Sequence, residues 1–177
     1  GVCLYYGMAI DDTILPVLSS IASEQANAAE NTVNQVIHLL DYLATHPDAM
    51  IMFGALDMIL NVHSDASYLS ERNAKSRMGG YFSWDVYQGK SKDVFINGSI
   101  HVLCGTLRIV VCSAVEAELA ALFLNIKEAE ILRLMLEKMG HKQPAAPVHC
   151  NNSTAVGIAK EKVKKQRSHS MDMRFFW

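Results

Sequence analysis

The spacing of apolar residues changes character near residue 48, and that change limits what this chain can fold into. Before it, NTVNQVIHLLDYLATH places Val33, Val36, Ile37, Leu40 and Leu43 at helical spacing, and Pro47 follows as a stop. TILPVLSSIASEQA is a second amphipathic segment, in which Pro16 suits a first helical turn. Residues 1–46 are therefore expected to be helical. After the change, segments 50–53, 57–65, 77–87, 92–104 and 107–112 are rich in β-branched, aromatic and alternating apolar residues. Gly54, the Gly79-Gly80 pair, Gly89, Gly98 and Gly105 punctuate them, as strands and hairpins require.

A long helix is expected from Ser113 to about Met139, ended by Gly140 in the C′ position. The short strand APVHC, a helix starting near Ser153, a basic loop and a last helical start at MDMRFFW follow. This order predicts a mixed α/β domain with a mostly antiparallel sheet and one added parallel strand. The chain has 177 residues, half of them hydrophobic, which is enough to bury a real core. The expected division is a helical segment, 1–48, and an α/β domain, 49–177.

Composition excludes a disordered chain, a collagen and a disulfide scaffold. Cys3, Cys104, Cys112 and Cys150 are far apart and show no metal-ligand spacing. They are read as free thiols of a reducing compartment, so the expected location is intracellular. No apolar run approaches the ~20 residues that span a bilayer. The chain starts at Gly1 without the layout of a signal peptide, and a soluble product of a longer precursor is expected. The net charge is only −2, but it is unevenly spread. Nine acidic residues and no Lys or Arg precede Arg72, whereas KEKVKKQRSHSMDMR packs six basic residues against two acidic ones. That run is either a solvated face or a patch for phosphates, which Lys and Arg bind without regard to sequence.

Three positions at expected element ends could carry chemistry. Asp65, in LNVHSDAS, ends the first strand, where it either points into a cleft or forms an Asx-turn. Ser113 and Glu116 match a capping box, which gives Glu116 a structural task. Glu118 is free of that task, and a carboxylate among Ala117, Ala120 and Ala121 is costly to pack unless something pairs with it. In VHCNNSTAV, Asn152 or Ser153 can cap the following helix, which leaves Asn151 unexplained. His63 and His149 make no metal motif, and surface or core packing is expected of them.

With these residues in view, the chain resembles the ribonuclease H region of copia-type retrotransposon polyproteins, with part of the preceding reverse-transcriptase thumb and connection. GVCLYY, LLDYLATHPDAMI, HSDASYLSE, SRMGGYF, SAVEAELAALFLNIKEAEILRLMLEKMGH and PVHCNNSTAVGIAK follow the order of that family. The resemblance implies a ribonuclease H-like mixed sheet flanked by helices, preceded by a helical connection segment. It also implies that a fifth strand and a last helix are missing from this chain. The family reaction is hydrolysis of the RNA strand of an RNA–DNA hybrid, with four carboxylates holding two Mg²⁺ ions about 3.5–4 Å apart.

Carried over position by position, the resemblance assigns the first carboxylate to Asp65 and the second to Glu118, both as metal ligands. The third catalytic position falls on Asn151, where the family has Asp, and the fourth lies beyond the family segment that this chain covers. Asp172 matches a residue between the third and fourth. Two of four carboxylates remain, so little or no nuclease activity is expected. The implied partners are an RNA–DNA hybrid or duplex and the remainder of the polyprotein, with no membrane. A non-catalytic binding module is the alternative, gripping nucleic acid through Asn152, Ser153, Lys162, Lys164, Lys165 and Arg167. A third reading, a structural or protein-interaction domain, is favoured by the acidic first 71 residues.

Overall fold

The computed structural model describes residues 1–54, 57–85 and 97–162, which form parts of two compact units, Gly1–Gly54 and Ala55–Trp177. The first unit carries helices α1 (Val2–Ala9), α2 (Leu15–Ser23) and α3 (Glu30–Thr45). Pro16 sits in the first turn of α2, where its missing N–H costs nothing, and α3 ends just before Pro47. Residues 50–53 form coil within this unit, not the expected strand.

The apolar stripe read from α3 is also turned the other way. Val33, Val36, Ile37 and Leu40 are exposed, whereas Thr32 and Leu39 face inward. The cause is polar: Thr32 Oγ1 donates to the Glu24 carboxylate and accepts the Ala29 N–H at 3.2 Å, so the start of α3 is anchored on its Thr32 side. Only Gly7, Asp11, Ile14, Leu15, Thr32 and Leu39 are buried in the whole unit, a thin core for its size.

The second unit is built on β1 (Ile59–Glu71), β2 (Lys75–Asp85), β3 (Ser99–Thr106), α4 (Ala114–Lys138), β4 (Val148–Cys150) and α5 (Ser153–Ala159). The sheet order is β3-β2-β1-β4, with β1–β2 and β2–β3 antiparallel and β4 parallel to β1. Four strands of mixed direction flanked by helices make this an α/β unit of the ribonuclease H-like kind expected. The expected segment 107–112 is not a strand; it leads into α4 and buries Leu107 and Val111. Residues 86–96 and the MDMRFFW segment lie outside the described residues.

Alternation along β1 sends Leu60 and Val62 to one face, where they meet Phe82, Ala129 and Leu136. Burying side chains of this size stabilises by roughly 1.5–3 kcal/mol each. α4 is capped by Ser113, whose Oγ accepts the Glu116 N–H, and ends at Gly140 with φ +96°, a conformation that suits glycine. Glu116 is buried and its carboxylate accepts the Cys112 N–H at 2.7 Å, which closes the turn before the helix. Among the described residues, no helix is long and apolar enough to cross a membrane.

One polar contact fixes how α4 lies on the sheet. Asn125 is fully buried and donates to Ser64 Oγ on β1 and to the Gly79 carbonyl on β2, at 2.8 and 2.9 Å. Its Oδ1 lies against Gly80, where an added Cβ would sit 2.1 Å away. The Gly79-Gly80 pair therefore marks a close backbone approach, and Gly80 is the member that needs it. Gly80→Ala should cost about 3 kcal/mol, through overpacking and two strained buried hydrogen bonds. Gly79→Ala, whose Cβ would meet only the Asp65 carbonyl at 3.9 Å, should cost less than about 1 kcal/mol. Urea midpoints followed through Trp84 check the contrast, and equal losses would disprove the contact's role.

Candidate functional site

The site lies where β1 parts from β4. These strands pair through Val62↔Val148, His63↔His149 and Ser64↔Cys150, and β4 stops there. One residue further along, Asp65 and Asn151 stand side by side, and Asn151 Nδ2 donates to Asp65 Oδ1 at 3.2 Å. An amide beside a carboxylate has only this favourable orientation, because its oxygen would repel the charge. Asp65 does not end its strand, as expected from the sequence; β1 runs on to Glu71. Its exposure comes from the loss of the neighbouring strand rather than from a turn.

Glu118 reaches the same place from the first turns of α4. It is 6 % exposed, accepts a hydrogen bond from the Ala66 backbone, and lies 3.8 Å from the Cys150 thiol. Burial, and after it the negative charge of Asp65, push the Glu118 carboxyl above its ordinary value. Burial raises the Cys150 thiol likewise, with Glu118 and Asp65 adding to the effect. Asp65, Glu118 and Asn151 thus converge, and the sheet and α4 hold them there.

Asn152 caps α5, its Oδ1 accepting the N–H groups of Thr154 and Ala155 at 3.1 and 3.0 Å. Ser153 begins the helix, and Lys162 is exposed just after it. Lys164, Lys165, Arg167 and Asp172 lie outside the described residues. Two features escaped the sequence reading. Cys150 sits against Glu118, a meeting set by the pairing of β4 with β1. His63 and His149 stack across the parallel pair with ring centroids 4.7 Å apart, and Tyr81 meets His63 edge-on at 6.5 Å. Burial and His149 lower the His63 pKa.

The donor chemistry can be set against a pair of Mg²⁺ ions. Two carboxylates offer two negative charges to four positive ones, and the Asn151 amide supplies a proton donor where the resemblance implies a third carboxylate. Among the described residues, no group of three or more His, Cys, Asp or Glu is gathered as ion ligands. These residues do not fit a two-ion centre.

No protein-family model matches the chain, and no solved structure matches it. It is 27 % identical over 140 residues to the retrovirus-related Pol polyprotein from transposon TNT 1-94 of Nicotiana tabacum. That stretch covers 78 % of this chain, which spans about a tenth of that relative's length (10 %).

The raised Glu118 carboxyl has a measurable consequence. A group that holds its proton better in the folded than in the unfolded state favours folding below its unfolded pKa, and this advantage is lost as pH rises through the folded value. Glu118→Gln should therefore raise Tm at pH 7 by roughly 2–4 °C. The gain should vanish as pH falls below the ordinary Glu value of 4.5. Calorimetry across that range checks it, and a gain independent of pH would contradict the electrostatic cause.

Proposed function

We propose that the chain is a segment of a retrotransposon Pol-type polyprotein whose second unit is a ribonuclease H-like domain impaired in catalysis. The observation that carries this reading is the meeting of Asp65, Glu118 and Asn151 at the parting of β1 and β4. The first two are acidic and the third is an amide at the position where the resemblance calls for Asp. The similarity to a transposon polyprotein supports the wider setting.

The family reaction needs a metal-activated water and a stabilised leaving oxygen. With Asn151 donating to Asp65, and Asp65 and Glu118 the two carboxylates that meet there, this chain's described residues provide too little negative charge to hold that arrangement. Losing even an outer partner at a metal site lowers affinity or activity about 10–100-fold, and losing a charged ligand should cost more. Incubated with a labelled RNA–DNA hybrid and Mg²⁺, the protein should leave the RNA strand uncut. Asn151→Asp should bind Mn²⁺ at least about tenfold more tightly than the parent, read by calorimetric titration. Efficient cutting by the unaltered chain would overturn the proposal.

The basic run from Lys160 to Arg174 favours a second reading, in which the domain grips hybrid without cutting it. Four phosphate contacts by Lys162, Lys164, Lys165 and Arg167 should weaken hybrid binding roughly 100-fold between 50 and 200 mM salt. Replacing all four by Gln should flatten that dependence. A hybrid affinity unaffected by salt would rule this grip out.

A further inference from the structure

The first unit contains six acidic residues (Asp11, Asp12, Glu24, Glu30, Asp41 and Asp48) and no Lys or Arg. One of these carboxylates is left incomplete. Asp11 is 5 % exposed; its Oδ1 accepts the Thr13 N–H at 3.1 Å and the Thr13 hydroxyl at 2.5 Å. Its Oδ2 is buried and has no hydrogen-bond partner among the described residues. A desolvated carboxylate oxygen in that state is costly until a cation or a donor reaches it.

Asp11 lines a cavity of about 470 Å³ within this unit, together with Asp12, Asp48, Tyr42 and His46. The Tyr42 and His46 rings stack with centroids 4.3 Å apart and an interplanar angle of 20°. The Tyr42 hydroxyl is tied to Thr13 Oγ1 at 3.0 Å, so this aromatic wall and the Asp11 loop hold each other. No group of three or more His, Cys, Asp or Glu is gathered as ion ligands among the described residues, so the cavity lacks the donor cage of a divalent ion. Carboxylates beside a flat aromatic face suit a planar organic cation. Guanidinium meets both demands, with a fork of N–H donors for oxygens and a weakly hydrated face for rings.

We propose that this cavity receives an arginine side chain of a partner polypeptide, its guanidinium held by Asp11 and Asp48 and stacked on the Tyr42–His46 pair. The unit has no Lys or Arg of its own to fill the place, so the partner supplies the guanidinium. The same unit of a second copy is a poor candidate, because it brings six more acidic residues and no arginine; the arginines of this chain all lie after residue 54.

The test titrates the ¹⁵N-labelled full chain with the blocked tripeptide Ac-Ala-Arg-Ala-NH₂ and with its citrulline counterpart, which has the same shape without the charge. Saturable shifts should appear at the amides of Asp11, Thr13, Tyr42, His46 and Asp48 with the arginine peptide and be absent with citrulline. Asp11→Asn, which keeps the local cap, should weaken binding at least tenfold. Asp48→Asn, at an exposed position, provides the same reading should the first variant not fold. Asp41→Asn removes equal charge from the outside of α3 and should leave affinity within twofold. Shifts scattered over the acidic surface, equal response to citrulline, equal loss in Asp41→Asn, or the same saturable shifts with MgCl₂ alone would each overturn the proposal.

Discussion

The second unit depends on the amide of Asn125. A helix laid on a sheet by apolar contacts alone can slide, because dispersion and hydrophobic burial have little direction. Asn125 removes that freedom by bonding both β1 and β2 from a fully buried position, directly over Gly80. Glu118 lies two helical turns earlier on the same face of α4. The bond to Ser64 therefore sets the height at which Glu118 arrives beside Asp65, and the geometry of the acidic corner follows from a neutral side chain seven residues away.

That corner stores charge under poor solvation. Asp65 is exposed and keeps water; Glu118 is buried and does not. The amide of Asn151 relieves part of the strain by donating to Asp65, while Cys150 and the Ala66 N–H stand against Glu118. The arrangement is met by neutral donors within the chain, whereas an aspartate at 151 would add a third negative charge beside the other two.

Much of this was legible from the residues. Helical spacing with Pro and Gly punctuation located α2, α3 and α4, and the Ser113–Glu116 pair located the start of α4. Asp65, Glu118 and Asn151 stood out as polar groups that local capping did not explain. The direction of α3 was not legible, because periodicity shows that a helix has two faces and says nothing about which one finds a partner. There Thr32 and Glu24 decide. The length of β1 was missed because its outer half, SYLSE, is paired only on one side and alternates too weakly to read as strand. Cys150 against Glu118 depends on long-range pairing, which no local pattern contains.

Gln143 has a consequence for how this corner can change over time. Its side-chain amide accepts the Leu60 N–H and donates to the Met58 carbonyl, at 3.0 and 2.8 Å, and so imitates a peptide group docked beside β1. The main chain takes over at Pro147, whose carbonyl accepts the Val62 N–H. A three-residue strand has too few rungs to choose its own alignment, and the preceding glutamine chooses for it. Insertions or deletions in the few residues between this anchor and Pro147 would strain the span, whereas changes before Gln143 would be absorbed by the loop. The tolerance of this segment to length variation should thus break sharply at one residue, well outside the acidic corner it protects.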